Sequence, residues 1–134
     1  MVSQIVHFFR NKSGQSIVEF ALILPILLLL VFGVFEGGRV FYAQLMVTEA
    51  AREGARAVAV TGDRTQAAIA VNKFAGTFTT TVTPSPLVYG QAVAVKVSTT
   101  VTIVTPLMSA FFTPNPFPVS STANMREENN TPIN

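Results

Sequence analysis

Glu19 is a carboxylate set inside an apolar stretch, and its position demands a chemical explanation. From Ile17 to Phe35 the chain reads IVEFALILPILLLLVFGVF, with Glu19 its one formal charge. A charge at the centre of a bilayer costs about 2.5–3.5 kcal/mol on insertion scales, and less towards the interface. Two readings are open. Either Glu19 sits at headgroup level near the start of a helix, where the macrodipole favours an anion, or it meets a cationic partner. The remaining titratable side chains form no catalytic set. Cysteine is absent, His7 is the single histidine, and Asp63 is the single aspartate. Disulfides, thiolate metal sites and a cysteine nucleophile are therefore excluded. Glu49 and Glu53 stand one helical turn apart, but Arg52 and Arg56 beside them point to an ion-pair face. No P-loop, Gly-rich phosphate loop or metal-ligand spacing occurs. Neither an enzyme nor a cofactor nor a small-molecule substrate is expected.

The apolar run itself sets the class of protein. Its nineteen residues rise about 28 Å as a helix, against roughly 30 Å for the hydrocarbon core of a bilayer. Across the 134 residues, charged side chains make up 12%, where soluble domains usually carry about 25%. Mean hydropathy is +0.47. A membrane-spanning segment accounts for both values. Arg10 and Lys12 precede the run, which places the N-terminus inside and the long C-terminal part outside. A cleaved secretory signal fits less well, because its apolar region runs only 7–15 residues and FGVFEGGRVF offers no A-x-A site. Pro25, costly inside a soluble helix, is tolerated in a membrane helix. The net charge of +2 comes from scattered basic residues with no cluster, so nucleic acid is not an expected partner.

A more specific pattern surrounds Glu19. A basic leader ends in Gly14, and Gln15-Ser16-Ile17-Val18-Glu19-Phe20 follows. This resembles the prepilin processing motif of the type IV pilin superfamily. The resemblance implies that a prepilin peptidase cuts after Gly14, making Gln15 the new N-terminus and Glu19 the fifth residue of the mature chain. Cutting there would remove Arg10 and Lys12, the charges that hold the N-terminus inside. The new amine of one subunit could then pair with Glu19 of a neighbour in a dry environment, and Glu19 would set subunit register. Over residues 14–62 the string G-Q-x-x-V-E-F-A-L-x-L-P, then E-x-G-R-x-F, then A-A-R-E-G-A-R is similar to the TadE-like family of minor pilins or pseudopilins. Family members belong to tight-adherence (Tad/Flp) pilus machinery. Phe20 stands where major Flp pilins usually have tyrosine, and the C-terminal part is far longer than theirs; both suit the TadE-like group.

Elements that must position these residues follow from pattern. Helix formers continue from Phe35 to Val60, and Gly62 is suited to cap the helix. The spacing predicts one helix of roughly 45 residues, from about Ser16 to Val60, with a bend expected at Gly37-Gly38. Glu36/Arg39, Glu49/Arg52 and Glu53/Arg56 are spaced i,i+3, as a solvated helix face or as inter-subunit pairs. Ala50, Ala51, Gly54, Ala55, Ala57 and Ala59 form a small-residue surface whose partner is either the protein's own sheet or another subunit. Asp63 is placed to cap a second helix through Phe74, closed by Gly76. Strands are expected over Thr77–Thr83, Gln91–Val104 and Val119–Met125; strict alternation makes the middle one clearest. Leu107–Pro118 reads as an irregular proline-rich loop. Its Phe111, Phe112 and Phe117 either form a contact patch or fold onto the sheet or membrane surface.

The sum is an α+β chain: a basic leader (1–14), a transmembrane helix (15–36), an exported domain with a short helix and about three antiparallel strands (37–126), and a polar, mobile tail (127–134). The expected setting is the cytoplasmic (inner) membrane, single-pass, and the extracellular pilus after processing. Membrane lipid, a prepilin peptidase, other pilins or pseudopilins and the pilus assembly platform are the expected partners. An uncleaved single-pass scaffold of a secretion or pilus apparatus is the alternative, and a secreted binding domain with a removable signal is a third.

Overall fold

The computed structural model describes residues 12–84, 87, 90–110, 113–126 and 128. The leader's first eleven residues, Phe111, Phe112 and nearly all of the polar tail lie outside them. A 50-residue helix, α1 (Lys12–Thr61), runs without interruption through Pro25 and through Gly37-Gly38. It is followed by α2 (Thr65–Val71), β1 (Thr79–Thr83), β2 (Ala92–Val101), α3 (Pro106–Ser109) and β3 (Phe117–Arg126). The strands make one antiparallel sheet in the order β1-β2-β3. The expected α+β fold, with its long apolar helix, short helix and three strands, is the one observed.

Two halves of α1 have different surfaces. Below Glu36 the large apolar side chains are exposed on all sides of the helix, from Ile17 to Phe35. Above it, Val47, Ala50, Ala51, Gly54, Ala55 and Val58 are buried. Their spacing of three and four keeps them on one stripe. Val40 and Ala43 extend that stripe downwards, half-buried against the same core. The small-residue surface thus packs within the chain: its partners are α2 and the sheet. A Cβ built on Gly54 would lie 3.2 Å from both Val71 and Val95, so glycine is favoured there by close approach rather than by backbone conformation.

The sheet's alternation explains the other side of this core. Val93, Val95, Val97 and Val101 of β2 are buried, and the residues between them are exposed or half-buried. Val95 pairs with Val82 on β1 and with Ala123 on β3. Among the described residues the fully buried core holds nothing larger than isoleucine, so helix and sheet come close together. Pro118, which cannot donate to a ladder, lies on the edge strand β3, where a missing N–H is tolerated.

Departures from the expected boundaries have local causes. β2 stops at Val101 rather than Val104, because the next amides are taken by side chains. Ile103 N–H donates to Asn115 Oδ1 at 3.1 Å, and Val104 and Thr105 N–H donate to Glu36 Oε1. β1 starts at Thr79 because the Thr77 carbonyl accepts from the Thr99 hydroxyl instead of entering the ladder. The proline-rich loop holds one helical turn, α3, which has Pro106 at its start, where a missing N–H is harmless. α2 ends at Val71, three residues before Phe74.

Gly62 closes α1 as expected, whereas the N-cap position of α2 is Arg64, and Asp63 binds Thr65 from one residue ahead of it. Gly62 has φ of 67° and its N–H closes on the Val58 carbonyl at 2.8 Å, as an αL cap requires. Asp63 accepts from the Thr65 hydroxyl at 2.6 Å and from the Thr65 N–H at 2.8 Å. The Thr65 hydroxyl, the Thr65 N–H and Gln66 together hold the Asp63 carboxyl below its ordinary value, outweighing a smaller opposing effect of burial. Arg64 donates to the Val82 carbonyl at 2.7 Å and so ties the start of α2 to β1.

Two outcomes follow. Gly54→Val is expected to destabilise the fold by about 1–3 kcal/mol through overpacking, read as a lower thermal midpoint by circular dichroism in detergent; an unchanged midpoint would contradict the close approach. For Asp63, a depressed folded pKa means its contribution is complete above the unfolded value and is lost as pH falls through the folded one. Asp63→Asn should therefore lower the midpoint at neutral pH and flatten the acid limb of the stability curve below about pH 4. An acid limb as steep as that of the parent chain would count against this.

Candidate functional site

The lower half of α1 carries the residues singled out around Glu19. Gly14 and Gln15 lie in its first turn, and nothing is within 4 Å of a Cβ built on Gly14. The Gln15 side-chain amide donates to Glu19 Oε1 at 3.1 Å, one turn along. Glu19 is exposed, as are its neighbours Val18 and Phe20. Below Val47, the first fully buried apolar residue that α1 contributes, lipid-like surface persists: Val31, Phe32, Val34 and Phe35 remain exposed. One apolar N-terminal helix of this length fits a single-pass membrane protein.

Glu36 is where that surface ends. It is only 2% exposed and is the one buried charged side chain among the described residues. Three donors converge on Oε1: the N–H of Val104 at 3.1 Å, the N–H of Thr105 at 3.2 Å and the Thr105 hydroxyl at 3.2 Å. Oε2 accepts from Arg39 Nη1 at 2.9 Å. The same Arg39 nitrogen also reaches the Thr102 carbonyl at 3.3 Å. A buried charge is tolerated when it is paired and its lone pairs are satisfied, and both conditions hold here. The carboxylate can thus clamp the segment after β2 onto the helix.

The other pairs on α1 are of a different kind. Arg52 and Glu49 approach to 3.7 Å with both side chains about two-thirds exposed, a geometry that contributes little. Among the described residues, Glu53 and Arg56 form no ion pair with each other. Phe117, one of the three loop aromatics, is half-buried and packs against the core.

Sequence reasoning placed Glu36 and Arg39 together but missed the amides 68 and 69 residues further on. The signal was available in part: Glu36 heads the series 36, 40, 43, 47 that becomes the buried stripe. No group of three or more His, Cys, Asp or Glu side chains that could hold a metal occurs among the described residues.

The helix with these features is also where a family likeness falls. Residues 14–56 match the family model described as TadE-like protein. The TadE-like segment begins at Gly14, takes in Glu19, the apolar run and the Glu36–Arg39 clamp, and ends within the buried stripe. This is the family that the pattern of the sequence resembles. The match covers 43 of the 134 residues and suggests a Tad-system, pilus-related protein. Comparison with curated proteins and with solved structures finds no match.

Removing the clamp should loosen the segment it holds. Glu36→Ala is expected to raise hydrogen exchange at the Val104 and Thr105 amides and to speed proteolysis between β2 and β3. Glu36→Gln, which keeps one acceptor oxygen but loses the pairing with Arg39, should fall between Ala and the parent chain. Equal protection of both amides in all three proteins would show that the carboxylate is not what holds them.

Proposed function

We propose that this chain is a TadE-like minor pilin or pseudopilin, cut by a prepilin peptidase after Gly14 and taking part in assembly of a Tad/Flp-type pilus for surface adherence. The observation that carries this reading is the division of α1. Its upper half is consumed by the chain's own sheet, whereas among the described residues the apolar half beginning directly after Gly14 is left almost uncovered, with Met108 beside Gly33 near its upper end. Lipid covers such a surface before assembly and neighbouring apolar helices cover it afterwards. Both are apolar, so transfer between them has little hydrophobic cost, and packing and polar pairing decide the outcome.

Polar pairing falls to Glu19. In a dry helix bundle an unpaired carboxylate is strongly unfavourable. Cleavage would create an amine at Gln15, one turn from Glu19 on the same helix and available to the Glu19 of a neighbouring subunit. Pairing between subunits would fix their axial offset. The exposed position of Glu19, and a side-chain partner as weak as the Gln15 amide, leave it accessible for that exchange. On this reading the peptidase, other pilins or pseudopilins and the assembly platform are the partners, with the N-terminus inside and the domain outside until the subunit moves into the filament.

The N-terminal residue of the protein from its native membrane, by intact mass and N-terminal peptide analysis, tests the reading. A chain starting at Gln15 is expected. Intact Met1, in cells with an active prepilin peptidase, would replace it with the uncleaved scaffold, and a start near residue 38 would mean ordinary signal cleavage. Glu19→Lys should leave membrane insertion in place and abolish assembly; normal pili from that variant would remove Glu19 from the mechanism.

A further inference from the structure

We infer that the segment Val104–Ser109 lies in the membrane interface beside α1, so that the domain is seated on the lipid surface rather than held clear of it. The inference rests on α1 spanning the membrane.

Height along the helix comes first. The uncovered apolar run ends at Phe35. Gly33 lies two residues inside that end, about 3 Å lower at 1.5 Å per residue. A Cβ built on Gly33 would be 3.7 Å from Met108 Sδ, so Met108 of α3 touches the helix within the apolar run. Val104 and Thr105 are fixed at Glu36, one residue beyond the run. Both parts of the segment are therefore pinned at the level where hydrocarbon gives way to headgroups, and no spacer separates the domain from the membrane.

Composition agrees independently. Residues 97–125, which include the whole of this end of the domain, contain no Asp, Glu, Lys or Arg. The charges nearest to it, Glu36 and Arg39, neutralise each other. Any part of this segment that dips into the hydrocarbon would penalise free charges, and residues 97–125 supply none. Val104 is 71% exposed although apolar. Beside it an open groove of about 760 Å³ between α1 and the end of β2 is lined by Val34, Phe35, Gly38, Tyr42 and Val101, with Arg39 at its polar side. Exposed Phe41 and Tyr42 mark the upper limit. From Ile17 to Tyr42 the helix rises about 38 Å, roughly the 30 Å hydrocarbon core plus one headgroup layer, and aromatic rings favour that outer level. Lipid is the one partner whose chemistry is continuous from the apolar run across this patch.

Because the chain has no cysteine, single-cysteine variants of the full protein can carry an environment-sensitive nitrobenzoxadiazole label. Val104→Cys reports the segment. Thr102→Cys, at a second exposed position beside the groove, repeats the reading should the first variant fold poorly. Ile23→Cys reports the membrane span. Lys73→Cys, exposed and two residues from the Val71 that packs on Gly54, reports the far end of the domain. In phosphatidylcholine–phosphatidylglycerol vesicles, the label at 104 should show blue-shifted emission, lose its quenching by iodide and be quenched by lipids bearing a nitroxide near the headgroup. The label at 73 should behave in the opposite way. Iodide quenching at 104 equal to that at 73, with 23 still quenched by lipid nitroxide, would overturn the inference while leaving the spanning helix intact. Absence of lipid quenching at 23 would overturn both. Protection at 104 from iodide and from lipid nitroxide alike would mean that protein, such as a second copy of the chain, covers the patch, and the inference would be wrong.

Discussion

A single carboxylate, Glu36, joins two structures that obey different rules. Below it, α1 presents apolar side chains in every direction and needs a non-aqueous surrounding. Above it, α1 presents one narrow stripe and needs a sheet. With Glu36 at the boundary, the last stretch of chain to leave the sheet is anchored where the helix changes character. Its side chain satisfies two backbone amides that would otherwise be orphaned beyond the end of β2, and Arg39 balances its charge. A buried carboxylate with these partners is favourable only when all of them are in place, so the site specifies one seating of the sheet on the helix.

That seating explains why the domain can be small. The core is made largely of alanine and valine, with Gly54 at the closest approach. Such a core buries little area per residue, but it also loses little side-chain entropy and lets the sheet lie close along the helix. The helix formers that favour α1 locally are the same residues that permit this contact. Local preference and tertiary packing agree, a mark of sequences that specify one structure.

Much of this was legible in the residues. Alternation from Ala92 to Val101 identified the central strand, Gly62 and Asp63 marked the turn between the helices, and the unbroken apolar run identified the exposed half of α1. The motif Gly14 to Glu19 is local in sequence, and the family likeness begins at its glycine. Boundaries were less so where distant groups compete for backbone amides. Glu36 captures Val104 and Thr105, Asn115 captures Ile103, and no period-two pattern reveals that a strand stops for such a reason. Glu36 itself was disguised by Arg39 three residues on, since i,i+3 opposite charges ordinarily mark a solvated face. Whether alanines on α1 faced a sheet or another subunit also depended on contacts between segments far apart in the chain.

At its other end the sheet is tied to α1 again: the Glu128 N–H donates to the Ala59 carbonyl at 3.0 Å. The two attachments, at Glu36 and Ala59, are separated by about 35 Å of helix. Two attachments on a single rod act as hinges, and the stripe from Val47 to Val58 packed against the sheet between them removes rotation of the sheet about the helix axis. The azimuth of the lower helix therefore dictates the compass direction in which the sheet faces. In any array built from parallel copies of this helix, the domains would point outward at angles set by the packing below, as blades are set by the turning of a shaft.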